Sequence, residues 1–422
     1  MAMLLILIFL LPLPFFLFLL SKHGNLPPSP PALPLIGHLH MQLFDNSSPH
    51  IFLWKLSQKY GSLLYLRFGC KPTIVVSSAE MAKEVMKTRD LDFCGRPDNR
   101  ASRRLSYNGL DLAFAPYDGY WREMRKLCVV NLFGRVQQFR PIREDEVGRL
   151  MEKICQLSAD SKPVNISEAT TCLSSTIICR VGFGKRYAEE GAERSRFHGL
   201  LSESQALLSI FASLTISLGW VGWIDSQGFT IDGGDFPFDL TADHIKAILM
   251  NVFLAGTETS AAAITWAMSF LMKHPNCLKT SQDEIATNSS IVTASRNTWK
   301  VQHRWYEIPA KSLVFVNAWA IGRDPGAWEN PQEFRPERFI DSSIDYKGLH
   351  FELIPFGAGR RICPGMRMGV ATVELALANL LYKFDWEMPA GMTEEDIDFD
   401  ALPGVTAHKK THLILVARKI GD

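Results

Sequence analysis

The sequence has almost no excess of charge of either sign. Its 422 residues include 45 lysines and arginines against 44 aspartates and glutamates, which leaves a formal net charge of +1. Because the phosphates of nucleic acids are bound by basic surfaces, this balance argues against a nucleic-acid partner. Internal repeats, low-complexity tracts and long charge runs are also missing. With 47% hydrophobic and 21% charged residues, the composition is that of a globular protein with a sizeable core, which excludes disordered and fibrous chains.

Cysteine pairs at metal-ligand spacing are absent as well. The sequence has no C-x-x-C pair and no cluster of histidines, so neither a structural zinc site nor a disulfide framework is expected. Most of the cysteines stand among apolar neighbours, where we expect small buried side chains. Cys363 is the exception, as described below. The eight cysteines are Cys70, Cys94, Cys128, Cys155, Cys172, Cys179, Cys277 and Cys363.

A long uncharged and strongly apolar run lies at the N-terminus. Residues 3–20 carry no charge, and at about 1.5 Å per residue they span roughly 27 Å, enough to cross a hydrocarbon core. Pro12 and Pro14 weaken such a helix, and a cleaved signal peptide is the alternative. However, no A-x-A-like cleavage site follows, and a basic residue, Lys22, comes after the run and not before it. We therefore predict a membrane anchor over residues 1–21, with the remaining chain in the cytosol.

Prolines fill the next segment, residues 22–37, and favour an extended backbone that excludes a helix. We predict a stiff hinge here, with a ligand for a proline-recognition module as the alternative. Residues 38–422 are predicted to form one domain, mainly α with small β-sheets. Alternating apolar residues indicate strands at 63–68 and 73–76, and residues 79–88 are typical of a helix capped by the serines before it.

The strongest helical pattern covers residues 242–273, about 48 Å if helical throughout, with Thr241 as N-cap and His274-Pro275 at its end. A polar cluster interrupts it: Ala255-Gly256-Thr257-Glu258-Thr259-Ser260. Such groups are costly on a buried helix unless they are hydrogen-bonded or line a wet cavity. If the cluster lines such a cavity, Gly256 admits a flat ligand, and the Thr259 hydroxyl can donate a hydrogen bond to the carbonyl four residues before it. A solvated stripe on a surface helix is the alternative.

A cysteine in a glycine-rich loop is the most informative feature. The segment reads Pro355-Phe356-Gly357-Ala358-Gly359-Arg360-Arg361-Ile362-Cys363-Pro364-Gly365, and an apolar helical pattern follows from Met366. Glycines allow a tight loop beneath Cys363, and the amides at the start of the next helix predict a lowered thiol pKa. Such a thiolate could be a nucleophile, but the sequence singles out no histidine base for it. The axial ligand of a haem iron fits better.

This loop resembles the haem-binding loop of the cytochromes P450, the haem-thiolate monooxygenases, in the pattern Phe356-x-x-Gly359-x-Arg361-x-Cys363-x-Gly365. Four further features resemble the family in the expected order: the proline-rich arm, Trp121-x-x-x-Arg125, Ala255-Gly256-x-Glu258-Thr259, and Gly322-Arg323-Asp324-Pro325 leading to Pro336-Glu337-Arg338-Phe339. They resemble the plant A-type branch, which acts on small secondary metabolites. Residues 121–133 and 380–410 look closest to the enzymes that oxidise aldoximes and related aromatic compounds.

The resemblance implies the fold, the cofactor and the partners. It implies a cytochrome P450 fold in an enzyme of the endoplasmic reticulum membrane, with the catalytic domain facing the cytosol. The cofactor would be haem b, with Cys363 as the axial thiolate and metal ligand. Electrons would come from NADPH through a membrane reductase, and one atom of O2 would be inserted into a small lipophilic substrate.

Further roles are implied for the other motif residues. Arg361, Trp121 and Arg125 would hold the haem propionates, because a buried dianion needs cationic partners. Phe356 would pack near the thiolate, and the glycines of the motif, Gly359 and Gly365, would let the loop pass close to the porphyrin. The helix residues Thr259 and Glu258 would guide protons toward the haem through water.

The sequence also departs from the family's pattern. The family has a Glu-x-x-Arg pair before the cysteine loop, and its ion pair with the arginine matched here by Arg338 braces the haem-binding core. No Glu-x-x-Arg occurs between Thr259 and Cys363, which lie only 104 residues apart. Glu146-x-x-Arg149 and Glu193-x-x-Arg196 have the right spacing but lie in the other half of the chain, where we expect surface helix charges.

Two segments are therefore predicted to be missing, and the fold to be incomplete. In residues 285–305 the apolar residues recur with neither the period of a helix nor that of a strand. Residues 295–305 can arise from a family-like stretch read in a shifted frame. A second loss is expected within 224–239, ahead of the long helix. Sequencing the transcript across both regions decides whether the gene model is in error.

Three functions stay open at this point. The first, which we adopt, is an anchored monooxygenase. The second is a catalytically inactive, mis-spliced or mispredicted membrane-anchored relative that binds haem poorly or not at all. The third keeps the haem but uses no O2, as isomerising or dehydrating relatives do, and the Glu258-Thr259 pair argues against it.

Three N-x-Ser sequons, at Asn46, Asn165 and Asn288, test the predicted orientation in the membrane. Because the domain is predicted to face the cytosol, we expect none of them to carry a glycan when the full chain is expressed in eukaryotic cells. Gel mobility before and after endoglycosidase treatment measures this. A mobility shift on treatment would place the domain on the other side of the membrane.

Overall fold

The computed structural model describes residues 25–45, 47–69, 71–97, 100–186, 241–287, 306, 308–402, 404 and 406–420. Helices dominate these residues, and two small three-stranded sheets accompany them. The predicted class, mainly α with small β-sheets, is confirmed. The predicted anchor at 1–21 and both segments predicted to flank losses, most of 285–305 and all of 224–239, lie outside the described residues.

The α-helices are α1 (Leu39–Phe44), α2 (Pro49–Tyr60), α3 (Ala79–Lys83), α4 (Asp90–Phe93), α5 (Arg100–Leu105), α6 (Gly119–Cys128), α7 (Arg140–Ala159), α8 (Ile166–Phe183), α9 (Ala242–Lys273), α10 (Pro275–Thr287), α11 (Ala318–Ile321) and α12 (Met366–Lys383). Two π-helical turns, Glu84–Thr88 and Val129–Phe133, follow α3 and α6, and short 3-10 turns lie at Pro336–Phe339, Gly359–Arg361 and Glu394–Asp396. The strands are β1 (Leu63–Phe68), β2 (Lys71–Val76), β3 (Val164–Asn165), β4 (Leu313–Val316), β5 (Phe384–Glu387) and β6 (Ile414–Lys419).

The first sheet has the order β1-β2-β4. Strands β1 and β2 pair antiparallel, and β4 pairs parallel to β2. The proline-rich arm lies along β1: the Tyr65 amide donates to the Pro28 carbonyl at 2.9 Å, and Gly37 bridges to Phe68. The described part of the arm contains no helix, as its prolines predict, and it is docked on the domain. The second sheet is antiparallel, with the order β3-β6-β5.

Helix α9 is the centre of the helical core, and its predicted bounds are confirmed. At its start, the Thr241 amide donates to Nδ1 of His244 at 3.2 Å. The helix packs against α8 and α12, and Ile264 and Met268 are fully buried in the largest apolar cluster. By length and composition α9 could cross a membrane, but 44% of its most apolar window is buried inside the protein. The apolar composition of α9 is therefore explained by its place in the core.

Two local expectations need correction. The helix predicted over 79–88 starts as expected, with Ser78 Oγ accepting from the Met81 amide, but after Lys83 it widens into the first π-helical turn. Glu146 was expected on the surface but is buried. Its carboxylate pairs with Arg180 at 2.5 Å and with Arg186 at 3.1 Å, because α7 and α8 pack side by side. Sequence spacing gave no sign of these partners.

The core position of α9 predicts an unequal effect of two isoleucine truncations on the same helix. Ile264 is 0% exposed and Ile245 is 53% exposed. We expect Ile264→Ala to lower the free energy of unfolding by about 2–5 kcal/mol, because it leaves a cavity. The matched Ile245→Ala variant should change it by less than about 0.5 kcal/mol. Denaturant unfolding followed by circular dichroism measures both, and equal effects would refute the core assignment.

Candidate active site

Cys363 lies at the end of a tight loop, directly before α12. The Cys363 amide donates to the Phe356 carbonyl at 3.0 Å, which closes the loop, and the Gly369 amide donates to Gly365 at 2.9 Å in the first turn of α12. Burial raises the pKa of the Cys363 thiol above its ordinary value, while the amides of Gly365 and Met366 act in the opposite direction. The predicted lowering is therefore wrong for the thiol itself, because desolvation outweighs the helix amides. A coordinating metal deprotonates a thiol outright.

The two motif glycines have different surroundings. Gly359 has a φ of +66°, and a Cβ there would overlap the carbonyl oxygen of Met86 in the first π-helical turn. Gly359 thus permits a close approach of two protein segments. A Cβ at Gly365 would lie 4.0 Å from the Cys363 sulfur, an ordinary contact. The Phe356 ring packs edge-on against Tyr346, with centroids 6.0 Å apart.

The three side chains assigned to the propionates lie together beside this loop. Arg361 stacks over the Trp121 ring, with 4.2 Å from its Cζ to the centroid, and Arg125 lies over the same ring at 5.3 Å. Arg125 donates to the Ile362 carbonyl at 2.5 Å, and the Trp121 indole donates to the Leu112 carbonyl at 3.0 Å. Helix α6 and the cysteine loop therefore meet at one cationic, aromatic cluster.

A fourth member of this cluster, Arg96, was missed in the sequence. Burial, Arg96 and Arg125 together lower the pKa of Arg361 to about 10, and Asp111 acts in the opposite direction. The cluster thus holds three guanidinium groups and one carboxylate. Two positive charges are left without a carboxylate, and a dianion such as the two propionates of haem would neutralise them. With a thiol beside the cluster, these residues fit a haem.

Asp111 is fully buried and ties the loop at 111–115 to α9. Its carboxylate accepts from the amides of Phe114 and Ala115 at 3.0 and 2.9 Å and from Nδ2 of Asn251 at 2.9 Å. The Asn251 oxygen accepts from the amides of Leu112 and Ala113 at 3.0 and 3.1 Å. The sequence did not predict this pair, although a carboxylate between two leucines is a weak sign of a buried polar contact.

The middle of α9 has one exposed stripe. Ala255, Thr259 and Ala263 are exposed at intervals of four residues, whereas Thr257 and Ser260 are buried. Residues at this spacing share one face, so Ala255, Thr259 and Ala263 form one accessible stripe on a helix whose other faces are largely buried. As predicted, Thr259 Oγ1 donates to the Ala255 carbonyl, at 2.5 Å.

Two other residues of the polar cluster, Gly256 and Glu258, contact other parts of the chain. Gly256 was expected to admit a flat ligand, but a Cβ there would lie 2.6 Å from Cδ1 of Ile178 on α8, so this glycine serves helix packing. The carboxylate of Glu258 meets Nε2 of His408 at 2.8 Å. His408 was not singled out in the sequence, because nothing local connects it with a helix 150 residues earlier.

Arg338, expected to lack its usual partner, is hydrogen-bonded to the backbone. No carboxylate contacts it within the described ranges. Its guanidinium lies over the Trp328 ring at 5.8 Å and donates to four carbonyls at 3.0–3.1 Å. These carbonyls belong to Glu329, Asn330, Glu333 and Arg335. Arg338 therefore holds together the backbone of residues 329–335, which precede the cysteine loop.

Comparisons with known proteins agree with this fold and site. The family model described as "Cytochrome P450" matches residues 27–229, 226–290 and 291–416. The chain is 40% identical to Cytochrome P450 71B36 of Arabidopsis thaliana and to 6,7,8-trihydroxycoumarin synthase of Pastinaca sativa, with 95% and 93% of both chains covered. A zebrafish cytochrome P450 solved with progesterone has a TM-score of 0.71 at 22% identity, covering 88% of this chain and 100% of its own.

The fold and the cysteine site define a haem-thiolate enzyme. The chain belongs to the cytochrome P450 family, and its relatives place it in the plant A-type branch. It is accordingly a monooxygenase of small secondary metabolites that uses haem and O2 and receives electrons from a redox partner.

The comparisons also bear on the missing segments. The alignment with the Arabidopsis relative runs over 477 positions, more than the 422 residues of this chain, so at least 55 positions have no counterpart here. The family model matches in three pieces that meet at 226–229 and at 290–291. Both junctions fall within the segments where the sequence predicts losses.

The left-handed glycines of the cysteine loop give a matched pair of variants. Gly357 and Gly359 have φ values of +68° and +66°, but only Gly359 has a backbone atom where a Cβ would stand. We expect Gly357→Ala to cost roughly 1–2 kcal/mol from the left-handed backbone alone and to keep haem binding. Gly359→Ala must displace Met86 or the loop and should lose most of the haem. Haem content per protein after purification measures this, and equal retention would contradict the packing described.

Proposed function

We propose that this chain is a membrane-anchored monooxygenase of the endoplasmic reticulum, with its domain in the cytosol and NADPH as the electron source through a membrane reductase. It would insert one atom of O2 into a small lipophilic aromatic metabolite. The observation that carries the proposal is the union of a half-buried thiol, Cys363, with a surplus of two positive charges at Arg96, Arg125 and Arg361. The domain boundaries proposed are an anchor at 1–21, a hinge at 22–37 and a catalytic domain at 38–422.

The residues around the cysteine loop would bind and orient the cofactor. Haem b, when bound, supplies the activation of O2. Cys363 would give the thiolate ligand, and Arg361, Arg125 and Trp121 would hold the carboxylates by charge and by hydrogen bonds. Among the other motif residues, Phe356 closes the loop through its carbonyl, and Gly359 lets the loop pass against Met86. Gly365 would let the loop lie close to the porphyrin.

Thr259 and Glu258 would handle protons on α9. The Thr259 hydroxyl lies on the exposed stripe, and its bond to the Ala255 carbonyl fixes where its oxygen can accept a hydrogen bond from water. The Glu258 carboxylate lies on a neighbouring face, 13% exposed, and can exchange a proton with water or with His408. Both groups are therefore proposed as catalytic residues.

The substrate class follows from the relatives' names. The parsnip relative is named for the synthesis of a trihydroxycoumarin. A planar aromatic of that size suits the stripe of Ala255, Thr259 and Ala263, whose small side chains leave an open face. We therefore propose coumarin-like aromatics for the first screen. The narrower expectation of an aldoxime substrate stays a prediction.

The test is the reduced, carbon-monoxide-bound difference spectrum of this exact chain in membranes, followed by NADPH-dependent turnover with a plant reductase. We expect a strongly red-shifted Soret band that Cys363→Ala removes and the matched Cys155→Ala variant keeps. A second version, with the absent positions restored from the Arabidopsis relative, runs in parallel. A band from the restored version alone would show that this polypeptide is inactive, an alternative the comparisons do not support. No band from either would overturn the proposal.

A further inference from the structure

The contact between Glu258 and His408 joins two distant parts of the chain. Glu258 comes from the middle of α9, and His408 from the segment before β6. Oε2 of Glu258 and Nε2 of His408 are 2.8 Å apart, and their side chains are 13% and 31% exposed. The carboxylate is thus mostly shielded, while the imidazole reaches solvent.

The position of His408 is fixed from both sides. Before it, the Ala407 carbonyl accepts from the Trp266 indole on α9 at 2.8 Å. After it, Lys409 is 3% exposed and pairs with Asp398 at 2.9 Å, and its backbone bridges to Ala401. A solvent-exposed loop would not need such anchors. The imidazole therefore has a defined place against the Glu258 carboxylate.

Helix geometry places the two relay residues on different faces of α9. Consecutive residues are rotated by about 100° around a helix axis. Glu258 accordingly faces the segment of His408, while Thr259 lies on the exposed stripe with Ala255 and Ala263.

We propose that His408 is a positioning residue for the reaction, which holds the Glu258 carboxylate and passes protons to it from solvent. The inference rests on the proposed function, in which RH + O2 + 2 H⁺ + 2 e⁻ gives ROH + H2O. The imidazolium Nε2–H gives its proton to Glu258 Oε2, and the neutral ring regains one from water. Histidine suits this step because its charge changes near physiological pH. The charged groups nearest the pair on the same segment are Lys409 with Asp398 and Lys410 with Asp400.

His408→Gln separates proton transfer from a structural latch. The glutamine amide can still donate to Glu258, but it does not ionise near neutral pH. His412 gives the matched control, because it is an exposed histidine four residues on whose ring bonds Asn165, the N-cap of α8, at 3.0 Å. His408→Ala removes both the bond and the titrating group.

We expect the His408→Gln chain to bind haem as the parent does and to lose at least about tenfold in product formed per NADPH consumed. Its solvent isotope effect should rise, and the pH profile of its rate should differ from the parent's. His412→Gln should match the parent. Because the two groups act in series, Glu258→Gln with His408→Gln should be no worse than Glu258→Gln alone.

A readout independent of turnover tests the contact itself. Hydrogen–deuterium exchange of the imidazole ring, followed by mass spectrometry, reports the environment of each histidine in the full chain. Glu258→Gln should change the rate for His408 and leave the rate for His412 unchanged. Equal rates for His408 in both chains would overturn the proposal even for a preparation without haem.

Two turnover results would also overturn it. The first is His408→Gln equal to the parent in coupling, isotope effect and pH profile. The second is His408→Ala impaired with His408→Gln unimpaired, which would make the histidine a structural latch. Failure of the proposed function itself looks different, since the parent chain would then give no carbon-monoxide band or no NADPH-dependent product.

Discussion

The half-buried guanidinium of Arg361 is the constraint on which the site depends. A buried charge needs dipoles or counter-charges around it, and Arg361 takes them from the carbonyls of Cys94, Leu112 and Ala115 and from the face of Trp121. These carbonyls come from loops with little regular structure, so other contacts must hold the loops in place. Asn251 does so from α9 through its bonds with Asp111 and with the amides of Leu112 and Ala113, and the thiol follows Arg361 by two residues. One cation therefore links helix, loops and metal ligand.

Local signals predicted the parts of the fold that depend on short stretches of chain. The bounds of α9 follow from Thr241 at one end and His274-Pro275 at the other, and both signals lie within a few residues of the helix. The cysteine loop was recognised for the same reason, since its glycines, arginine and cysteine are all close in sequence. The bond from Thr259 to Ala255 also spans a single helical turn.

Contacts between distant segments could not be predicted in this way. Asn251 and Asp111 lie 140 residues apart, and Glu258 and His408 lie 150 apart, with no periodic pattern to connect them. The thiol pKa of Cys363 was misjudged because the helix amides are visible in the sequence, whereas the burial that opposes them is not. Gly256 was misread similarly, since glycine allows any close approach and the sequence does not say that its neighbour is Ile178.

The π-helical turn at Glu84–Thr88 carries the Met86 carbonyl to the place where a side chain at position 359 would stand. In such a turn the Arg89 amide bonds back to Glu84, one residue further than in an α-helix. Deletion of one residue there would restore the α-helix and rotate the Met86 carbonyl away from the cysteine loop. A side chain at position 359 therefore becomes possible only when the turn at 84–88 changes as well. A library of variants at position 359 should yield folded proteins chiefly when it also varies the length of 84–88.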